Sequence, residues 1–404
     1  MMSLRRSLQQ CRVFTTTTSI ETDSAISHIK SKFRSDLDPD KALEMYNNLN
    51  ITELPEIASR IALNQTAKLL AKSGRLADVE TLIESHKSNP NITQESFLSS
   101  LIRSYGLAGM TDNAYRLYQQ MEELGTPRSS ISFNELLVAY NESKKFDQVP
   151  KLFDEIPTKY GFSADKISYG ILIRSLCMKN KSEAVLSVLK EMEEKNIEIT
   201  AITYATVLYF LYKKKDVHLA EQMWKQMTEK GIIPDVTLYN VRVRNAHYEK
   251  VEDGLALIEE MKTKGLKPDI VTYNYLLTCY LKHRRMEDAK KLYESLESNG
   301  CSPEASTFEL YISHLCKRKH YKSAYFVFKD SVDKDRGLGF LVLKKLVEGL
   351  ASSSQTKEAK EVVRIMKQKS SDKLLDSWNQ LEVELDQNKY GGNRTQKPQR
   401  VNFI

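Results

Sequence analysis

A unit of about 35 residues recurs along nearly the whole of this 404-residue chain. It is plainest where Pro234-Asp235-Val236-Thr237-Leu238-Tyr239-Asn240 is echoed by Pro268-Asp269-Ile270-Val271-Thr272-Tyr273-Asn274. A repeat of this length holds two short helices and a turn, and must stack on its neighbours to bury an apolar face. The expected product is a solenoid with one long concave surface. Three landmarks carry the register: an aromatic at the fourth place, a small residue near the twentieth and an apolar residue, often Met, near the twenty-seventh. The repeats then begin at Arg60, Glu95, Ser130, Lys166, Ala201, Val236, Ile270, Ala305 and Phe340, after a degenerate one near Asp23 whose second half reads Asp38-Pro39-Asp40-Lys41-Ala42-Leu43.

Phe133, Tyr169, Tyr204, Tyr239, Tyr273 and Phe308 hold the aromatic place, and Ala114, Ala220, Ala289, Ala324 and Ala359 the small one. Met121, Met192, Met227 and Met366 fill the second helix's apolar face, so all of these are expected in the core. Apolar residues follow a helical period in both halves, as in Tyr273, Leu276, Leu277 and Tyr280, then Met286, Ala289, Leu292, Tyr293 and Leu296. Gly231, Gly265 and Gly300, each with a proline three residues on, stop the second helices. No segment reads as a strand, so the expected fold is all-α.

No Pro/Gly/Ser-rich linker divides the chain, which predicts one continuous array over residues 23–374 with about nine to ten repeats. The longest apolar run, Val207 to Tyr212, is far too short to span a membrane, so a soluble protein without a membrane partner is expected. Residues 1–22 have the composition of a mitochondrial transit peptide. They carry Arg5, Arg6 and Arg12, a Thr15 to Thr18 run, and no acidic residue before Glu21. This predicts a mitochondrial matrix location. Residues 375–404 read as a helix remnant and a disordered basic tail.

The five cysteines show no paired spacing, and the chain has no C-x-x-C and no GxxxxGK[ST]. His314, Cys316 and His320 come nearest to a metal cluster, but a spacing of two puts Cys316 on the helix face opposite His314. No cofactor is expected. The histidines lack partners at catalytic spacing, and the sequence predicts no enzyme.

Basic residues recur at the thirteenth to sixteenth places of successive repeats: Lys144 and Lys145; Lys179 and Lys181; Lys213, Lys214 and Lys215; Lys282, Arg284 and Arg285; Lys317, Arg318 and Lys319. Lys72 and Arg75 begin the series. Equivalent places in stacked repeats lie side by side, so these cations are expected to form a stripe that follows a phosphate backbone. Helix C-termini also favour cations for their own sake.

The V-T-Y-N opening at 271–274 and the G-x-x-P-D close at 231–235 and 265–269 resemble those of the pentatricopeptide repeat family, and the resemblance covers residues about 23 to 374. Repeats of even length without an attached catalytic domain look like its P-type branch. The resemblance implies a right-handed superhelical solenoid of helix-turn-helix repeats that binds single-stranded RNA in an organelle. It also implies that the fifth and last residues of a repeat read one base edge, while the second residues of adjacent repeats clamp the base. Asn134 with Asp165 and Asn240 with Asp269 match the pair that favours uracil; Asn274 with Glu304 is a variant of it. Ile131, Ile167, Ile202 and Val271 fit the clamp, and Thr237 and Ser306 fit it less well. Elsewhere the reading places hold Ala205, Gly170 with Thr200, Ser99 with Ser129, Glu309 and Lys344. So few intact pairs cannot select one transcript. Short plant members with the D-P-D-K-A-L segment, degenerate pairs and a basic tail look similar to subunits of the mitochondrial ribosome, where assembly with ribosomal RNA and proteins would supply specificity. A free factor for RNA processing, stability or translation, and a protein-binding scaffold, are the alternatives.

Overall fold

The computed structural model describes residues 26–29, 32–33, 38–49, 54–246, 250–369 and 372–387, and among them every regular element is helical. The expected transit peptide and the basic tail beyond 387 lie outside the described residues. The chain forms two compact parts that meet at Ala220 and Glu221. The boundary falls inside a helix and not at a linker.

The first part contains α1 (Pro39–Asn47), α2 (Glu56–Lys72), α3 (Leu76–Ser85), α4 (Glu95–Leu107), α5 (Thr111–Gln119), α6 (Ser130–Glu142), α7 (Val149–Tyr160), α8 (Lys166–Met178), α9 (Ser182–Glu194) and α10 (Ala201–Lys213). The boundary lies in α11 (Val217–Glu229). The second part continues with α12 (Val236–Ala246), α13 (Val251–Thr263), α14 (Ile270–Lys282), α15 (Met286–Ser295), α16 (Ala305–Lys317), α17 (Tyr321–Asp333), α18 (Phe340–Ser352), α19 (Thr356–Lys369) and α20 (Asp372–Asp386). From Glu95 onwards, each first helix begins on the residue at which the repeat was expected to begin. The repeat placed at Arg60 differs, because its first helix starts at Glu56, directly after Pro55, and runs for 17 residues.

Burial explains the period. Phe133, Tyr169, Tyr204, Tyr239, Tyr273 and Phe308 are all buried, and Leu63, Leu98 and Leu343 take the same place in the remaining repeats. Two of the tyrosines there, Tyr169 and Tyr239, keep the ring in the core and hand the hydroxyl to an acid on the same repeat's second helix. Tyr169 donates to Glu191 at 2.7 Å and Tyr239 to Glu260 at 2.7 Å, and Lys195 and Lys264 close these networks. The five alanines at the small place are fully buried, as are Met121, Met192 and Met227. Met366 is only half-buried, since the last repeat has no complete repeat after it.

Within each part, successive first helices pack on one another, α4 on α6 on α8 in the first and α14 on α16 on α18 in the second. α4 and α6 approach backbone to backbone at Gly106, where an added Cβ would lie 2.3 Å from the Cα of Ala139. Ser143 Oγ donates to the Gly106 carbonyl at 2.9 Å across the same junction.

The array is closed at both described ends. Asp38 caps α1 by accepting from the Asp40 and Lys41 amides, with Pro39 at the first helical position, and Tyr46 on α1 meets His86 at 2.9 Å. At the other end α20 begins at Asp372, three residues before the expected remnant, and is a working cap. Its Trp378 is fully buried with the ring edge-on to Phe340, and Lys367 bonds Glu382 at 2.7 Å. A stack of repeats needs such a terminal element to shield its last apolar face.

Candidate nucleic-acid interface

The last residue of each repeat is also the N-cap of the next repeat's first helix. The first amides of a helix have no partner within it, so a short polar side chain just before them is favoured. Asp165 accepts from the amides of Ile167 at 2.9 Å and Ser168 at 2.8 Å. Asp269 accepts from Thr272 at 2.8 Å, Asp235 from Leu238 at 2.9 Å and Thr200 from Thr203 at 3.2 Å.

Two of the pairs expected to read bases are joined by hydrogen bonds on these caps. Asn134 Nδ2 donates to Asp165 Oδ1 at 3.1 Å, and Asn240 Nδ2 to Asp269 Oδ1 at 3.1 Å. A hydroxyl fixes the other end of each amide, because Ser168 Oγ donates to Asn134 Oδ1 and Thr272 Oγ1 to Asn240 Oδ1, both at 2.6 Å. Each asparagine is 8% exposed. With the amide held this way, one N–H and the outer carboxylate oxygen face a ligand, although Asp165 Oδ2 also accepts from Asn134 Nδ2 at 3.4 Å. That donor beside an acceptor is complementary to a base edge presenting the reverse. Burial raises the Asp165 carboxyl's proton affinity, but hydrogen bonds from the Ser168 amide and from the Ser130, Asn134 and Ser168 side chains outweigh it and hold the pKa below the ordinary aspartate value.

The third pair, Asn274 with Glu304, does not form. A glutamate carries its carboxylate one methylene further from the backbone, no hydrogen bond joins the two side chains, and Asn274 Oδ1 is buried without a partner. Other repeats divert their polar groups to structure. Glu95 accepts from the Ser129 and Ser132 amides at 2.7 and 3.1 Å, which ties Ser129 up, and Ser99 Oγ is buried without a partner. Glu309 accepts from the Gly339 amide at 2.6 Å and so serves the start of α18, where the N-cap has no side chain. The substitution Glu309→Ala should therefore lower stability by about 1 kcal/mol, as lost caps do, and leave any base preference unchanged. Urea unfolding and a competition titration with the four homopolymeric RNAs would check both halves.

The clamp places are apolar and exposed, as a stacking surface requires. Ile131, Ile167, Ile202 and Val271 are 54%, 57%, 77% and 42% exposed. Leu341, second in its repeat and 72% exposed, belongs with them. The register pointed to it, although the sequence reading had not included it. Thr237 and Ser306 are exposed at the same place.

The basic turns prove to be of several kinds. Some cations are bound to carboxylates of the preceding repeat: Lys145 to Asp112 at 3.9 Å, Lys179 to Asp147 at 2.7 Å, and Arg285 to Glu252 at 3.0 Å and to its own Asp288 at 2.6 Å. Arg75 reaches both Asp40 and Asp78 in the same way. Arg318 donates to the Leu281 carbonyl at 3.3 Å, and Lys214 donates to Ser182 at 2.8 Å while lying over the Phe210 ring. Lys144, Lys181, Lys213, Lys215, Arg284, Lys317 and Lys319 are exposed at their turns, and none forms an ion pair with a described residue. Lys282 is exposed beside them. Partial burial, opposed by Cys279 and reinforced by Arg244 and Lys317, pulls its pKa below the ordinary lysine value. Cations of adjacent repeats in the second part therefore feel one another. Lys317 also lines a cleft of about 470 Å³ with Ser313, Lys345 and Glu348. His314 Nδ1 lies 3.0 Å from the Leu310 carbonyl within its own helix.

Most first helices end at the thirteenth place, eight residues after the fifth, so the basic turns begin about 12 Å along the helix axis from the expected reading place. Paired helices in register, with exposed aliphatic side chains, nearly buried asparagine amides beside them and basic turns, define a tandem helical-repeat protein. The chain belongs to the pentatricopeptide repeat family. Residues 268–317 match the PPR repeat family, residues 187–243 the pentatricopeptide repeat domain, and residues 97–126 and 167–197 the PPR repeat. The chain is 44% identical over 393 residues to the small ribosomal subunit protein mL103 of Arabidopsis thaliana, covering 95% of each chain. It is also 44% identical to a mitochondrial pentatricopeptide repeat-containing protein of the same plant, over 95% of this chain and 93% of the relative. The crystal structure of the pentatricopeptide repeat protein PPR10 with an 18-nucleotide RNA element shares the fold, with a TM-score of 0.50 and 20% identity. That match spans 87% of this chain and 54% of PPR10, about half of its length.

Proposed function

We propose that this mitochondrial protein binds single-stranded RNA with weak sequence preference in the matrix, as a resident component of the small subunit of the mitochondrial ribosome, with ribosomal RNA and ribosomal proteins as its partners. The observation that carries this reading is a disparity along the array. Aliphatic clamp places are exposed in most repeats, whereas among the described residues the polar groups that would read bases are assembled only at Asn134–Asp165 and Asn240–Asp269. Stacking is worth about 1–3 kcal/mol per base and tolerates any base, so affinity is retained where selectivity is not. The likeness to mL103 along almost the entire chain supports the ribosomal assignment. The role we propose is binding, and Glu95 and Glu309, acids at prominent places in their repeats, serve helix starts.

A second reading, a free factor in transcript processing, stability or translation, is favoured by the intact geometry of those same two pairs. Sedimentation of a mitochondrial lysate separates the two. The protein is expected to migrate with the small subunit in magnesium and to follow its components after chelation. A protein that stays at the top of the gradient in both conditions overturns the ribosomal reading.

A further inference from the structure

The fifteenth place is a left-handed turn residue in eight of the nine repeats counted from Arg60; the exception is the repeat that begins at Val236, where Lys250 is extended with φ -136°. Gly74, Gly109, Lys144, Asn180, Lys215, Arg284, Lys319 and Ser354 all have φ between 57° and 79° there. Glycine adopts this conformation without penalty and asparagine at little cost, while a lysine or arginine is strained in it. Four of the eight places nevertheless carry a long cation. None of those four is bound to a carboxylate, whereas Lys145 and Arg285, the very next residues to two of them, are bound to acids of the preceding repeat. An unfavourable backbone conformation accepted for a charge without an internal partner calls for an external one.

We propose that Lys144, Lys215, Arg284 and Lys319 are the residues that hold phosphodiester groups of the bound RNA, and that Lys145, Lys179 and Arg285 are staples between repeats. This rests on the RNA-binding reading above and divides the basic stripe into two functions. An ammonium or guanidinium at an exposed turn can meet a phosphate oxygen without giving up an existing ion pair. The stapled cations would have to break one.

The test compares the full chain with two variants, one with all four turn cations changed to glycine and one with Lys145→Gln, Lys179→Gln and Arg285→Gln. Binding to poly(U) RNA is measured against salt concentration, and thermal unfolding is followed by circular dichroism. The glycine variant should keep or raise its Tm, and its slope of log K against log salt should fall in magnitude by about 3, at roughly 0.7 per lost contact on single strands. The staple variant should unfold earlier with its slope unchanged. A glycine variant that binds with the wild-type slope overturns the assignment, as does a staple variant that alone loses the slope. Absence of binding by the wild-type chain would overturn the RNA-binding reading itself, which is a separate result.

Discussion

Replacing Gly106 with alanine is expected to destabilise the first compact part by about 3 kcal/mol, the upper end of the usual cost of overpacking. The new methyl carbon would stand 2.3 Å from the Cα and 2.4 Å from the Cβ of Ala139. Those atoms cannot swing aside as the end of a flexible side chain could. Relief requires α4 and α6 to separate, which also stretches the bond from Ser143 to the Gly106 carbonyl. Loosening one junction weakens the burial of Leu98, Leu101, Phe133 and Leu136 on either side of it. At about 2–4 °C per kcal/mol for a body of this size, the first unfolding transition should drop by roughly 6–12 °C in a calorimetric scan. A transition within a degree of wild type would refute the close approach. Gly109→Ala is a useful contrast: nothing lies within 4 Å of its added Cβ, and only the backbone strain at φ +79° remains.

The second large effect concerns base preference. Asn240→Ala combined with Asp269→Ala should abolish discrimination at one nucleotide, a loss of about 1–3 kcal/mol between the preferred base and the others by analogy with other bidentate contacts. Affinity for RNA as a whole should change much less, because the neighbouring Val271 clamp is untouched. The double variant will also lose about 1 kcal/mol of stability, since Asp269 caps α14. The single change Asp269→Asn separates the two consequences, because it keeps an oxygen for the cap while exchanging the carboxylate for an amide. Retention of the original preference by the double variant, measured with oligonucleotides differing at each position in turn, would show that this pair does not read a base.

Much of this was legible because burial repeats with the sequence. The aromatic at Tyr239 and the alanine at Ala289 are both core residues and landmarks, so their period located the helix starts from Glu95 onwards. The repeat at Arg60 keeps its register, with Leu63 buried at the fourth place and Gly74 left-handed at the fifteenth, but its first helix starts four residues earlier, at Glu56, directly after Pro55. The basic stripe was visible as composition, but its division was not. Whether Arg285 is available depends on Glu252, 33 residues earlier and one repeat away. Asn274 with Glu304 had the right kinds of group and the wrong reach. Gly106 gave no sign of its role, because the atom that forbids a side chain there belongs to the neighbouring repeat.

On the proposed reading the last place of a repeat is both N-cap and base reader, which limits what such a chain can spell. Only a few side chains, chiefly Asp, Asn, Ser and Thr, both cap a helix and offer hydrogen bonds outward. That half of any recognition alphabet therefore has few letters, set by helix chemistry and not by the bases. Gly339 shows the exception: a repeat can drop its letter when a residue such as Glu309 takes over the cap, and it then falls silent without coming apart.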